Sequence, residues 1–440
     1  MSVSGVLIVA LYFVLVCTPA ALAAWLAPPA GGFAYEAGRA AALTGFAILV
    51  LQTVLAARWK YASRPFGLDI VFRFHRNIAL FAGVLLVAHP ILLAAGGAGP
   101  GLILRLDAPW YIWLGRIALV LLLLNLVLSA CRNRLRIAFE RWRFVHDVVG
   151  PLLLVVAFTH AWFIGGDLQH PLIRTVSAAL LAGGVAIFVY HRLIRPVLLR
   201  RHPWRVTAVQ PETDTVCTLE LEPPASQATP DYLPGQWHFL TLHRNRGLPH
   251  EEHHFTISSS PTRPGRVTST IKNIGDFTAT IPDTRVGDTA SVHTAFGRFS
   301  YRVHPDESDL VFIAGGIGIT PLMSMLRCMS DRKDGRRVLL LYANRTEDAI
   351  VFRDELDTIA AGHDPHLTVV HVISRPGDDW TGEKGHIDRD LLQRRVQGDL
   401  SKKTFYICGP APLMDAAIAD LAAMGVKDRQ IRTEIFRLID

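Results

Sequence analysis

The 440-residue sequence has little cysteine: Cys17, Cys131, Cys217, Cys328 and Cys408 are its five thiols. They are scattered and none forms a C-x-x-C pair. That argues against a disulfide framework and gives no zinc or iron–sulfur spacing. Charge is also sparse, with 19% of residues charged and a net +7. No basic–aromatic or helix-turn-helix pattern accompanies that excess, so a solvated or membrane-facing surface accounts for it and nucleic acid is not an expected partner. No Ser–His–Asp triad or carboxylate pair stands out. Lys and Arg are missing ahead of the first apolar run. Although Ala21–Leu22–Ala23 resembles a cleavage site, a retained helix is therefore expected.

What the sequence has in quantity is apolar length. Half of its residues are hydrophobic, and they concentrate in the first 200 positions. Crossing a bilayer as a helix takes about 20 such residues. Six segments qualify, near 5–27, 38–57, 71–95, 110–130, 142–166 and 172–196, so membrane lipid is an expected partner. Basic residues cluster in alternate connections: Arg58, Lys60 and Arg64; then Arg132, Arg134, Arg136, Arg141 and Arg143; then Arg192, Arg195, Arg200, Arg201 and Arg205. The positive-inside rule places these, the N-terminus and the whole second half in the cytoplasm of a multi-pass cell-membrane protein.

Ionisable residues inside a membrane are costly and usually functional. The third span carries His75 and His89, and the fifth carries His146 and His160, each pair 14 residues apart. That spacing is just under four helical turns, so each pair lies on one face with about 21 Å between its members. Both helices run outward, which puts His75 level with His146 and His89 level with His160. Two facing imidazoles at one depth can ligate a haem iron, and two such levels make an electron wire. A haem-binding channel or assembly subunit without turnover is the rival reading.

Beyond the spans the pattern changes. From about 204 to 305, short alternating strands with Pro/Gly turns predict an antiparallel barrel. From 308 onward, strands near 309–314, 337–343, 367–373 and 404–408 alternate with helices and predict a doubly wound parallel sheet. The first of these strands runs into a glycine-rich turn with Gly315, Gly316, Gly318, Thr320 and Pro321, whose backbone amides could approach a pyrophosphate. Cys408, Gly409 and Pro410 close the last, at the strand ends where ligands bind in such sheets.

These motifs resemble a known family. The six spans with two H-x(13)-H pairs resemble the ferric reductase transmembrane domain shared by NADPH oxidases and ferric-chelate reductases. The second half resembles a ferredoxin–NADP reductase module. Pro234, Gly235 and Gln236, before Trp237, resemble the entry to the flavin barrel. Glu251–Glu252–His253–His254–Phe255–Thr256 resembles the H-P-F-T motif, with His254 in place of proline, so the resemblance implies that His253, Phe255 and Thr256 contact FAD. The segment from Ile271 and Lys272 through Gly275, Asp276 and Phe277 to Thr278 resembles one bordering the FAD phosphates. Cys408 matches a cysteine facing the nicotinamide, and Phe436 an aromatic covering the flavin. Ser374–Arg375 and Arg345 resemble residues that hold the 2′-phosphate of NADPH, so NADPH is favoured over NADH. The resemblance thus implies two b-type haems, FAD and NAD(P)H. It implies domains at 1–200 (transmembrane), 201–305 (FAD) and 306–440 (NAD(P)), and a small-molecule acceptor, dioxygen or a chelated metal. Some oxidases of this family have a further histidine one turn beyond the outer ligand; here that position is Leu93.

Overall fold

A computed structural model describes residues 3–60, 64–244 and 246–435. Their contacts separate two compact units, divided between Arg195 and Pro196.

The first unit holds six helices long and apolar enough to cross a membrane: α1 (Val3–Leu26), α2 (Phe33–Ala56), α3 (Leu68–Leu93), α4 (Trp110–Cys131), α5 (Phe139–Ile164) and α6 (Pro171–Val189, continuing helically to Arg201). Leu, Val, Ile and Ala dominate these helices. Many of the large ones face outward, including Leu7, Phe13, Leu80, Val84, Val120, Leu124 and Val155, as lipid-facing side chains do. The inward positions are smaller. Helix α2 is the centre, with Ala47, Ile48 and Val50 almost fully buried. Its neighbours approach closely because glycines stand at the crossings. A Cβ on Gly45 would come within 2.8 Å of Leu86 on α3, and one on Gly184 of α6 within 2.6 Å of Val50. Two ion pairs tie the bundle. Arg39 of α2 binds Asp167 in the α5–α6 connection, with its Nε 3.2 Å from the carboxylate, and Arg192 binds Asp147 of α5.

The second unit begins with a six-stranded antiparallel sheet: β1 (Trp204–Thr213), β2 (Val216–Glu222), β3 (Trp237–His243), β4 (Glu252–Thr256), β5 (Val267–Lys272) and β6 (Thr289–Phe296). The spatial order is β4-β3-β6-β1-β2-β5. Ser258, just beyond β4 at one edge, donates its N–H to Thr268 of β5 at the other edge, 2.9 Å away. That bond draws the edges together into a barrel around Leu219, Leu221, Leu240, Leu242 and Ile257. The remaining strands, β7 (Asp309–Gly315), β8 (Arg337–Asn344), β9 (His366–Ile373), β10 (Glu383–Lys384), β11 (Lys403–Cys408) and β12 (Ile431–Glu434), form a parallel sheet ordered β10-β9-β8-β7-β11-β12. Helices α7 (Ile319–Asp331), α8 (Arg353–Ala361), α9 (Arg389–Arg395) and α10 (Ala411–Ala423) pack against it. The order reverses at β7, between β8 and β11, which is the switch point where such sheets bind ligands.

Helix α7 joins barrel to sheet. Its Ser324 hydroxyl donates to Ser259 O at 2.7 Å, and Arg327 donates to Ser258 O at 2.7 Å while gripping Glu355 of α8 through two bonds of 2.6 and 2.7 Å. Asp331 at its end accepts from Arg263 at 2.7 Å.

Candidate functional site

The bundle brings the four histidines into two facing pairs. The rings of His75 on α3 and His146 on α5 have centroids 6.2 Å apart. With a metal–nitrogen bond of about 2 Å on each side, as for imidazole on zinc, two trans imidazole centroids stand roughly 6–6.5 Å apart. The observed separation leaves room for one iron between the rings. His89 and His160, one level along the same helices, lie within electrostatic range of each other.

The ring nitrogens turned away from these gaps are held. His89 Nδ1 donates to Gly38 O at 2.9 Å, His160 Nδ1 to Tyr111 O at 2.6 Å, and His146 Nδ1 to Asn125 Oδ1 at 3.1 Å. An acceptor on Nδ1 fixes the tautomer that leaves Nε2 as the coordinating atom and raises its basicity. His75 Nδ1 is buried and makes no hydrogen bond among the described residues. A Cβ added to Gly115 of α4 would come within 2.6–2.8 Å of three atoms of the His160 ring, so this glycine makes the space the ring occupies. These residues fit a bis-histidine haem at each level. Arg39 is engaged by Glu36 at 2.8 Å as well as by Asp167. Arg73, beside His75, pairs with Asp69 at 3.1 Å.

In the second unit the segments matched to the flavin motifs converge. Gly235 turns with φ +92°, and a Cβ there would meet Phe299 O at 2.1 Å. Gln236 then bridges the Leu233 N–H and Gly297 O, both at 2.8 Å. His253, Phe255 and Thr256 lie on β4, which runs extended through His254, paired with Phe239 of β3. The position that is proline in the family motif therefore lies inside a regular strand here. Phe277 joins the two flavin segments: its ring lies 4.1 Å from that of His253 and 6.3 Å from that of Phe255. Ile271 and Lys272 end β5. Thr278 Oγ1 accepts from the N–H groups of Ile274 and Gly275 at 2.9 Å each, and Asp276 opens the turn they enclose. Arg244 lies beneath Phe277, fully buried, with its guanidinium 5.5 Å from the ring centre and bonded to Thr280 and Pro249 O.

The glycine-rich turn packs directly on the end of β11. Gly318 leaves no room for a Cβ, which would stand 2.2 Å from Cys408 O, and one on Gly409 would meet Gly315 N at 3.0 Å. Gly316 has φ +51°, and the Lys272 ammonium lies 3.9 Å from where its Cβ would stand, so the flavin and nucleotide segments meet here. Thr320 and Pro321 begin α7, with Thr320 Oγ1 donating to Ile317 O at 3.0 Å. Cys408 pairs with Ala314 of β7 and Glu434 of β12. Burial, and then the Glu434 charge, pushes its thiol well above its ordinary range, so the sulfur is neutral at pH 7. Arg345 and Ser374–Arg375 extend β8 and β9. The Arg375 N–H donates to Arg345 O at 2.8 Å, which sets the two exposed arginines side by side. Phe436 lies outside the described residues. Sequence reasoning did not single out Asn125, Gly115, Arg244 or Phe277. Phe277 stands inside a quoted motif, and a buried arginine or a helical glycine gives no spacing signal.

Two families match this chain. "Ferric reductase like transmembrane component" covers residues 41–157, and "Oxidoreductase NAD-binding domain" covers residues 312–418. The chain joins a ferric reductase-like transmembrane domain to a ferredoxin reductase-type module. It is thus a multi-pass membrane oxidoreductase whose flavin- and nucleotide-type domains follow its spans. A flavohemoprotein of Bordetella pertussis is 28% identical over 244 residues, covering 53% of this chain and 60% of the relative. The reductase component of propane 2-monooxygenase from Rhodococcus jostii is 32% identical over 237 residues, covering 52% and 61%. The ferric reductase-like chain therefore spans under two thirds of either relative. The crystal structure of a flavohemoglobin from Malassezia yamatoensis with bound FAD and heme shares the fold at TM-score 0.50 and 18% identity, covering 92% of this chain and 98% of that one.

Proposed function

We propose that the protein takes electrons from NAD(P)H on the cytoplasmic face and delivers them, by way of FAD and two b-type haems, to an acceptor on the other side, a ferric chelate or dioxygen. The observation that carries this reading is the doubled histidine arrangement: two facing pairs on α3 and α5, one with centroids 6.2 Å apart. Three of the four Nδ1 atoms are turned away onto acceptors. By the positive-inside orientation His75 and His146 form the inner site, and His89 and His160 the outer.

NAD(P)H yields electrons in pairs and a haem takes one, so the chemistry FAD supplies when bound is to divide the pair. The chain positions and insulates. Gly235 and Gln236 shape the barrel entry, the turn of Gly275, Asp276 and Thr278 presents backbone N–H groups, and Gly315, Gly316 and Gly318 let backbone approach a pyrophosphate at the start of α7. Cys408 offers an uncharged sulfur where a nicotinamide would lie. Arg345 and Arg375 present two adjacent guanidinium groups to a 2′-phosphate, which supports NADPH over NADH.

His89→Ala should lower haem from two to one per chain and abolish transfer to the acceptor, while NAD(P)H still reduces the flavin. Two haems retained in that variant would refute the ligand assignment. A haem-binding subunit without turnover would be reduced by dithionite and not by NADPH. Oxygen uptake set against ferric-chelate reduction by the purified protein separates the two acceptors.

A further inference from the structure

The histidine partners repeat as the histidines do. On α2, Gly38 accepts from His89, and Gln52, 14 residues on, has its backbone against His75. On α4, Tyr111 accepts from His160 and Asn125, again 14 residues on, accepts from His146. Each ligand helix is therefore backed by the antiparallel helix before it, at the same two levels. The levels differ in chemistry. At the outer site both acceptors are backbone carbonyls, which no substitution removes. At the inner site both positions carry side-chain amides, on Asn125 and Gln52.

Gln52 is the unfinished member of this set. It is 9% exposed, inside an apolar bundle, and neither its amide oxygen nor its amide nitrogen has a hydrogen-bond partner among the described residues. The Nδ1 of the adjacent His75 is the one ligand nitrogen of the four left without an acceptor. A buried amide with no partner is costly, about 1–3 kcal/mol for each such group. An orphaned donor beside an orphaned amide oxygen is relieved by one side-chain rotation.

We propose that Gln52 is a positioning residue of the inner haem: its side-chain oxygen accepts the His75 Nδ1 proton in the haem-loaded protein, as Asn125 does for His146, so that these two amides set the inner potential while the outer site is left to backbone. The proposal rests on the bis-histidine reading above. A hydrogen bond from Nδ1 makes imidazole a stronger electron donor, which favours the ferric state and lowers the potential. Gln and Asn are thus the adjustable elements of one site and not of the other.

Redox potentiometry of the full-length protein, followed by haem absorbance, tests this. Two one-electron waves are expected. Gln52→Leu should move one of them upward, by about a tenfold change in its equilibrium or about 59 mV, and leave the other in place. Asn125→Leu should move the same wave in the same direction. Gln52→Glu, which keeps the acceptor and its length, should move that wave downward, and it decides the matter alone if the leucine variant loses haem. A Gln52→Leu protein with both waves unmoved would assign His75 to the Gln52 backbone carbonyl and overturn the proposal. So would equal displacement of both waves, which marks a general change in packing. An unmodified protein that binds no haem would instead overturn the functional reading beneath it.

Discussion

At the scale of single residues, the candidate sites are made by what is absent from a position as much as by what is present. Gly115 is the plainest case. A Cβ there would lie 2.6 Å from the His160 ring, closer than packed carbon atoms come, and the ring cannot retreat without leaving its bond to Tyr111 O. Gly115→Ala should therefore reduce haem from two per chain toward one, with the spectrum of the His75/His146 site unchanged. Two haems with unaltered spectra would show that α4 yields instead. A second residue-scale effect lies in the barrel. His238 is fully buried, its Nε2 2.7 Å from the Ser269 hydroxyl and its Nδ1 without a partner among the described residues. Burial pushes its pKa from 6.5 down to about 3. The folded state keeps the ring neutral, while the unfolded chain binds a proton near pH 6.5. The stability this group contributes is thus full above the unfolded value and is lost as pH falls from 6.5 toward 3, by at most about 1.4 kcal/mol per pH unit. Thermal release of bound flavin from the full-length protein should come at lower temperature across that window, and His238→Gln should flatten the slope. A slope unchanged by the substitution would place the acid sensitivity in another group.

At the scale of elements, the sequence was legible where periodicity is strong. The six apolar runs appear within a few residues of their expected ends, and the four expected strands of the parallel sheet extend each expected range by no more than one residue at either end. Both follow from side-chain chemistry that alternates with the geometry of the element. The partners of the ligand histidines were not legible, for a physical reason: Gly38 and Tyr111 act through backbone carbonyls, so their residue types carry no trace of the role. The strain expected of His254 in place of proline also has no counterpart, because β4 pairs regularly with β3 on both sides of it. Two element-scale predictions follow from contacts between strands and helices. Arg327, on α7, holds Ser258 O of the barrel and Glu355 of α8 at once. Hydrogen bonds to charged groups contribute about 1.5–3 kcal/mol each, so Arg327→Ala should lower the melting temperature of the flavin-loaded protein and weaken FAD retention. Unchanged melting would mean that α7 is held by its buried Leu322, Met325 and Leu326 alone. At the ends of β8 and β9, Arg345 and Arg375 are joined by backbone and exposed by side chain. Arg375→Ala should raise the Michaelis constant for NADPH and barely change that for NADH. Equal use of both nucleotides by the unmodified protein would remove the basis for the preference.

At the scale of the whole molecule, the proposed reaction has a direction, and the direction comes from charge outside the spans. The basic residues fall at one end of the bundle: Arg58, Lys60 and Arg64 after α2, the arginines from 132 to 143 between α4 and α5, and those from 192 to 205 where α6 gives way to the reductase module. The connections at the opposite end have few: Arg105 between α3 and α4, and no Lys or Arg between α5 and α6. Such asymmetry in short loops holds the basic end in the cytoplasm, and the module follows α6 from that same end. Neither NADPH nor a ferric chelate crosses a lipid bilayer unaided, so sidedness can be read directly. In sealed inverted membrane vesicles, added NADPH should reduce the flavin, and a ferric chelate enclosed in the lumen should then be reduced. In right-side-out vesicles added NADPH should do nothing until the membrane is opened with detergent, whereas an external chelate should be reduced when NADPH is loaded inside. Dioxygen permeates both preparations, so superoxide detected only on the luminal side of inverted vesicles would give the same orientation for the other acceptor. Reduction of an external chelate by external NADPH in intact vesicles of either kind would place donor and acceptor on one face. The two histidine levels would then have no electron to carry across the bilayer.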